Sequence, residues 1–145
     1  MVPISAQGNP MSATAQATQP VTPFQRVGGA AAVRTIVDRF YDLVETEPAY
    51  VELRAMHAQD LTPMRTSLAG FLNAWLGGPR DWFAEHDRCM MSVHSPLAIV
   101  NKTAEQWGDA MRRAIAETPM EDREIADAMT EALSRMAAGM VRRSA

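Results

Sequence analysis

Residues 22–44 of this 145-residue chain read TPFQRVGGAAAVRTIVDRFYDLV, and the stretch indicates a helical protein. Thr22-Pro23 is a typical helix start, because threonine caps the first turn and proline suits the first helical position. Gly28-Gly29 interrupts the short segment that follows. Beyond the glycines, apolar residues recur at three- and four-residue spacing, which marks one buried helix face. The residues with this spacing are Val33, Ile36, Val37, Phe40, Tyr41 and Val44.

Three further apolar stripes with the helical period follow along the chain. Pro48 ends or offsets the first long helix, and a shorter segment spans Ala49 to His57. The next stripe is entered at Thr62-Pro63 and stopped by Gly77-Gly78-Pro79. The sequence shows no alternation of apolar and polar residues that would indicate a β-strand. We therefore predict an all-α fold. The stripes consist of Met64, Leu68, Phe71, Leu72 and Trp75, then Trp107, Ala110, Met111, Ala114 and Ile115, then Ile125, Met129, Leu133, Met136, Ala137 and Met140.

The N-terminal residues differ in composition from the rest of the chain. Residues 1–22 are rich in Ala, Gln, Thr, Pro and Ser, with no charge and no apolar period. We interpret them as a flexible leader that precedes one domain of residues 23–145.

Charge and composition exclude several classes of protein. Fourteen basic and 17 acidic side chains give a net charge of -3 without a block of one sign. We therefore expect no electrostatic binding to nucleic acid or to an anionic membrane. The apolar runs are too short to span a bilayer, and a secretory signal is absent. Cys89 is the single cysteine, so an internal disulfide is excluded, and we expect a cytoplasmic protein.

The stretch from Arg80 to Val100 is apolar but keeps no clean period. It is long for an empty connection between helices, and a segment of this kind often lines a ligand pocket. Eleven methionines in the chain add weakly to this interpretation, because methionine adapts to irregular apolar space. The side chains concerned are Trp82, Phe83, His86, Cys89, Met90, Met91, His94 and Ile99.

The chain has three histidines, His57, His86 and His94, and none belongs to a zinc-hydrolase motif. No glycine-rich phosphate loop and no catalytic triad pattern is present either. Taken singly, each histidine is most simply a structural or surface residue. However, a histidine in an irregular apolar segment of an all-helical domain, followed by a helix with a tryptophan, meets the needs of haem. Haem requires an apolar slot between helices and one axial imidazole.

Four stretches of the sequence together resemble the group II truncated haemoglobins. They are residues 22–44, LRAMHAQDL at 53–61, FLNAWLGGP at 71–79, and HSPLAI at 94–99 followed by Trp107. The resemblance extends from Thr22 to the end of the chain, and the joint order and spacing of these motifs make it specific.

This resemblance implies a two-over-two helical sandwich that encloses one haem b. It implies His94 as the protein ligand to iron, and Tyr41 and Trp107 as distal donors to the bound ligand. His57 matches a position at the pocket edge and is also a candidate sixth ligand to ferric iron. From the residues alone, without the resemblance, Tyr41 and Trp107 are better interpreted as ordinary core side chains. The full set expected around haem is His94, Phe40, Tyr41, Met64, Leu68, Phe71, Trp82, Met91, Leu97, Ile99 and Trp107, with Arg80 as a further candidate.

The chain departs from the family just before His94. Relatives commonly carry two arginines in an L-R-x-R-H run, whereas this chain reads MMSVH at 90–94. Met91 and Val93 stand at the arginine positions, so a haem propionate would need another partner, such as Arg80 or Arg88. We expect weaker haem retention than in relatives that carry both arginines.

Three functions are compatible with these residues. The first is reversible binding of dioxygen, nitric oxide or carbon monoxide. The second is a haem enzyme, such as a nitric oxide dioxygenase or a peroxidase-like protein, that uses Tyr41, Trp107 and His57 with an unknown electron donor. The third is a helical interaction module without haem, against which His94 and the two donors argue. A monomer and a homodimer both remain open.

Overall fold

The computed structural model describes residues 21–80 and 100–144, and every regular element within these ranges is helical. The predicted all-α class is therefore confirmed. Most of the predicted leader, and the segment with His94, lie outside the described residues. The elements are α1 (Pro23–Val27), α2 (Gly29–Thr46), a 3₁₀ turn (Pro48–Tyr50), α3 (Val51–Ala55), α4 (Thr62–Trp75), α5 (Asn101–Glu117) and α6 (Arg123–Ser144).

The long helices form two packed pairs. Helix α5 packs along α6, and α2 packs against both α4 and α5, so α2 joins the two pairs. The apolar stripes predicted from the sequence meet between these helices. Phe40 of α2 and Leu72 of α4 are fully buried, as are Ala110 and Ala114 of α5. Burying each large apolar side chain contributes roughly 1.5–3 kcal/mol, so this shared core holds the pairs together.

The start of the fold matches its sequence signal. The Thr22 hydroxyl accepts a hydrogen bond from the Gln25 backbone N–H at 3.1 Å, and the Gln25 side chain accepts one from the Thr22 N–H at 3.0 Å. This reciprocal pair satisfies two donors that a helix N-terminus otherwise leaves unbonded. Gly28 then ends α1 with a φ of 115°, a conformation that glycine adopts without strain.

Helix α1 lies against the end of α4. The Phe24 N–H donates to the Leu76 carbonyl at 2.9 Å. A Cβ atom at Gly78 would lie 2.6 Å from the Phe24 ring, so the close approach requires glycine there. The TPF motif and the LGGP motif are therefore parts of one contact.

The predicted short segment from Ala49 to His57 is helical over less of its length. The 3₁₀ turn and α3 end at Ala55, and His57 lies beyond the helix in a bend. Arg54 stabilises this bend, because its guanidinium donates to the carbonyls of Ala58 and Gln59 at 3.0 and 2.9 Å. No helix in the described ranges is both long and apolar enough to cross a membrane.

Candidate functional site

Four predicted site residues form one aromatic cluster between α2, α5 and the bend after α3. The rings of Phe40 and Tyr41 meet edge to face, with centroids 4.9 Å apart, and the Phe40 ring lies 5.3 Å from that of Trp107. The His57 ring meets Tyr41 edge-on at 5.8 Å. Since neighbouring residues on α2 point in different directions, Phe40 contacts Trp107 while Tyr41 contacts His57.

Tyr41 is deeply buried and carries a hydroxyl group that can donate a hydrogen bond. The residue is only 2% exposed, and burial raises the pKa of its hydroxyl well above the ordinary value of 10, although the charge of Arg65 opposes this shift. The hydroxyl therefore keeps its proton at neutral pH and can donate a hydrogen bond. Among the described residues, none forms a hydrogen bond with it. This hydroxyl can therefore serve as a donor to a bound ligand.

Trp107 presents a second donor of the same kind. Its indole is half-buried and packs against the core. Within residues 21–80 and 100–144, no group accepts a hydrogen bond from its N–H. The Tyr41 O–H and the Trp107 N–H are thus two hydrogen-bond donors in the same cluster. Each is carried by an apolar ring.

His57 is held in one orientation by the helix that precedes it, α3. Its Nδ1 lies 2.9 Å from the carbonyl oxygen of Leu53, one turn earlier. A carbonyl oxygen can only accept, so we assign the ring proton to Nδ1. In the neutral ring Nε2 is then an acceptor of hydrogen bonds or a ligand to a metal.

Helix α4 contributes an apolar wall. Leu68 and Phe71 are buried at 7% and 5% exposure, and Met64 is half-buried against the same core. These three residues share one face of α4, as their spacing of four and three predicts. These apolar side chains belong to the same core as the two donors, a combination that suits a flat apolar group carrying a small polar ligand.

Arg65 was missed by the sequence analysis although it lies beside Tyr41. Its guanidinium Cζ is 5.9 Å from the Tyr41 ring centroid. The same group donates to the Asp38 carboxylate at 3.2 Å and to the Asp42 carboxylate at 2.8 Å. Asp38 and Asp42 are four residues apart on α2, so their like charges are neighbours on one helix face. This spacing was a signal in the sequence that a cation from another helix lies between them.

The remaining predicted site residues are not brought into this cluster by the described part of the fold. Arg80 is exposed at the end of the loop after α4. Among the described residues, no group of three or more His, Cys, Asp or Glu side chains could hold a metal ion. The residues that lie outside the described ranges are Trp82, Arg88, Met91, Val93, His94, Leu97 and Ile99.

Comparison with known proteins gives one consistent result. The sequence profile of a family described as bacterial-like globin matches residues 22–142. The chain is 30% identical to the group 2 truncated hemoglobin YjbI of Bacillus subtilis over 100 residues, which are 68% of this chain and 73% of that protein.

Solved structures agree with this match. The group II truncated hemoglobin of Bacillus anthracis superposes with a TM-score of 0.77 at 32% identity, covering 86% of this chain and 93% of that one. A group II 2-on-2 hemoglobin of Agrobacterium tumefaciens gives a TM-score of 0.80 at 29% identity, covering 85% and 95%. The predicted two-over-two arrangement is thereby confirmed.

Proposed function

Because the chain belongs to the bacterial-like globins, and within them to the group II truncated haemoglobins, we propose that it binds dioxygen at a haem b held by His94. A haem cofactor and small gaseous ligands follow from the family itself. The observation that supports the finer proposal is a pair of donors in one aromatic cluster, the Tyr41 hydroxyl and the Trp107 indole N–H, for which the described residues supply no acceptor.

The haem, held by His94, would supply an iron centre that can bind a diatomic ligand. Tyr41 and Trp107 would then donate hydrogen bonds to the ligand, which carries partial negative charge when it is dioxygen. Burial of Tyr41 excludes water that would otherwise compete for these bonds. Each bond is worth roughly 1–2 kcal/mol, so each donor slows dioxygen release by about 5- to 30-fold.

His57 borders the same pocket in this proposal. Its ring is fixed by the Leu53 carbonyl and meets the Tyr41 ring at its edge. The Nδ1–H tautomer leaves Nε2 as an acceptor, so His57 does not compete with Tyr41 and Trp107 as a donor while it is neutral. We propose that it closes the pocket edge and limits the directions in which Tyr41 can point.

The proposal is tested by absorption spectra of the purified protein as isolated, after reduction, and with carbon monoxide. We expect a Soret band that shifts on reduction and again with carbon monoxide. In His94→Ala supplied with hemin, this band should be lost or altered. An unchanged Soret band in His94→Ala would overturn the assignment of the iron ligand.

Dioxygen release tests the two donors. The dissociation rate should rise about 5- to 30-fold in Tyr41→Phe and in Trp107→Phe, because each variant loses one donor and keeps an aromatic ring. Turnover of nitric oxide and of peroxide in the same samples separates a binding protein from an enzyme. Rapid release in the unmodified protein, with no effect of either substitution, would contradict the proposed donors.

A further inference from the structure

We propose that Gln106 is a positioning residue of the distal pocket, which fixes the His57 ring through the peptide groups of α3. This inference rests on the proposed function in one respect, namely that His57 borders the ligand pocket. It concerns a residue of α5 that does not itself need to touch the ligand.

Two hydrogen bonds, one to the N–H and one to the carbonyl of Leu53, connect Gln106 to His57. The Leu53 N–H donates to Gln106 Oε1 at 2.9 Å, and the carbonyl of Leu53 lies 2.9 Å from His57 Nδ1. Gln106 Nε2 also donates to the Glu52 carboxylate at 2.8 Å. One amide side chain therefore holds two successive residues of α3, and the second of them holds His57.

Helix α3 needs such an external contact because it is only five residues long. A helix of this length is not stable alone, and the N–H groups of its first turn lack partners within the helix. Tyr50, the residue before α3, supplies no capping side chain. Gln106 takes over that role from a different helix, since it accepts from the third N–H of α3.

The position of Gln106 in the sequence joins the two sides of the pocket. It immediately precedes Trp107, so the same turn of α5 carries the indole donor and holds α3. A shift of α3 away from α5 would therefore change the distance between His57 and Trp107. Such a shift alters the space available to a ligand without removing any group that contacts it.

Glutamine is suited to this position because its amide has one acceptor and donors on the same group. The acceptor meets a backbone N–H, and the donor meets a carboxylate. A glutamate at 106 would keep the acceptor but would place a second negative charge against Glu52. The double variant Glu52→Gln/Gln106→Glu exchanges the two side chains. The amide at position 52 then donates to the carboxylate at position 106.

The experiment measures the His57 ring directly. Nitrogen-15 NMR of the carbon monoxide form should show His57 as the Nδ1–H tautomer in the unmodified protein. In Gln106→Ala and Gln106→Glu we expect a mixed or shifted His57 signal, and dioxygen release faster by about threefold to tenfold. The double variant Glu52→Gln/Gln106→Glu should recover both readouts.

Two controls make the interpretation specific. Lys102→Met removes the exposed ion pair between Lys102 and Glu52, at 3.0 Å, and should leave the His57 signal unchanged. In a His57→Phe background, Gln106→Ala should no longer change dioxygen release. Rates that rise equally with and without His57 would overturn the proposal.

The proposed function and this inference fail in different ways. A protein without a haem spectrum contradicts the proposed function, while the His57 signal of the haem-free protein still tests Gln106. If Gln106→Ala does not fold, as judged by circular dichroism, the comparison of Gln106→Glu with the double variant decides. An unchanged His57 tautomer in Gln106→Glu, or no recovery in the double variant, would overturn the role of Gln106.

Discussion

The guanidinium of Arg65 lies over the ring of Tyr41, with its Cζ atom 5.9 Å from the ring centroid. Carboxylates on α2 hold it there, with Nη1 3.2 Å from Asp38 and Nη2 2.8 Å from Asp42. Its side chain is 17% exposed, so these ion pairs are screened less than those on the open surface. Arg65 thereby fixes α4 on α2 at the turn that carries the proposed ligand donor.

We expect Arg65→Met to lower the free energy of unfolding by about 1–2 kcal/mol, because two charged hydrogen bonds are lost at a partly exposed site. Arg65→Lys keeps the charge but cannot bind both carboxylates with a planar fork, so it should recover only part of this loss. Urea denaturation followed by circular dichroism measures both variants. Equal stability of Arg65→Met and the unmodified protein would contradict this account of the α2–α4 contact.

The contact between Gly78 and Phe24 yields a second prediction. Gly78→Ala should destabilise the protein by about 1–3 kcal/mol, because the added Cβ would lie 2.6 Å from the Phe24 ring. In a Phe24→Ala background the same substitution should cost much less, since the ring is absent. Thermal unfolding of the four proteins of this double-mutant cycle measures the difference.

Gly108→Ala is the matched control for that experiment. Gly108 lies inside α5, and a Cβ there would meet Ser134 Oγ at 3.5 Å, which is ordinary van der Waals contact. Because alanine favours a helix over glycine by roughly 1 kcal/mol, this variant should be as stable as the unmodified protein or more stable. If Gly108→Ala were also destabilised, the loss in Gly78→Ala could not be attributed to the contact between its Cβ and the Phe24 ring.

The sequence was sufficient to predict the helices because their signals are local. The cap at Thr22 depends on a residue three positions away, and the stripe of α2 repeats every three or four residues. Caps and apolar stripes of this kind predict a helix without any knowledge of which helices pack against each other. The end of α3 was less predictable, because a bend held by Arg54, rather than a glycine or a proline, follows Ala55.

The site was predictable only in part. Tyr41 and Trp107 were predicted as donors through the family resemblance, and that role stays a prediction, while the structure shows the Phe40 ring in contact with both of their rings. Arg65 and Gln106 were missed because their partners lie 23 to 54 residues away in the sequence. Which distant polar groups meet depends on the packing of the helices. The assignment of His94 stays a prediction from the sequence.

A third prediction concerns haem retention. The resemblance to the group II truncated haemoglobins predicts that Met91 and Val93 replace two arginines, so we expect faster transfer of haem to apomyoglobin than from a relative with both arginines. Met91→Arg should slow this transfer, because it supplies a cation for a propionate. Met91→Leu is the control for a change of shape without charge. Equal transfer rates for Met91→Arg and Met91→Leu would contradict the prediction.

The last prediction concerns Glu52, which binds the positioning residue Gln106. The hydrogen bond from Gln106, and after it that from Lys102, lowers the pKa of the Glu52 carboxyl from 4.5 to about 2. Since the folded protein holds the deprotonated form more firmly than the unfolded chain, Glu52 stabilises the fold above pH 4.5. This contribution should decrease as the pH falls from 4.5 towards 2, where the folded form also takes up the proton.

Glu52→Gln removes this titration and provides the reference. The free energy of unfolding of the unmodified protein, minus that of Glu52→Gln, should be constant between pH 5 and 7 and should fall from pH 4.5 to pH 3. In a Gln106→Ala background the fall should be shallower, because the hydrogen bond that lowers the pKa most is absent. Urea denaturation at half-unit pH steps measures the four curves, those of the unmodified protein, Glu52→Gln, Gln106→Ala and the variant that carries both substitutions. A difference that stays constant down to pH 3 would show that the Gln106–Glu52 hydrogen bond does not persist in solution.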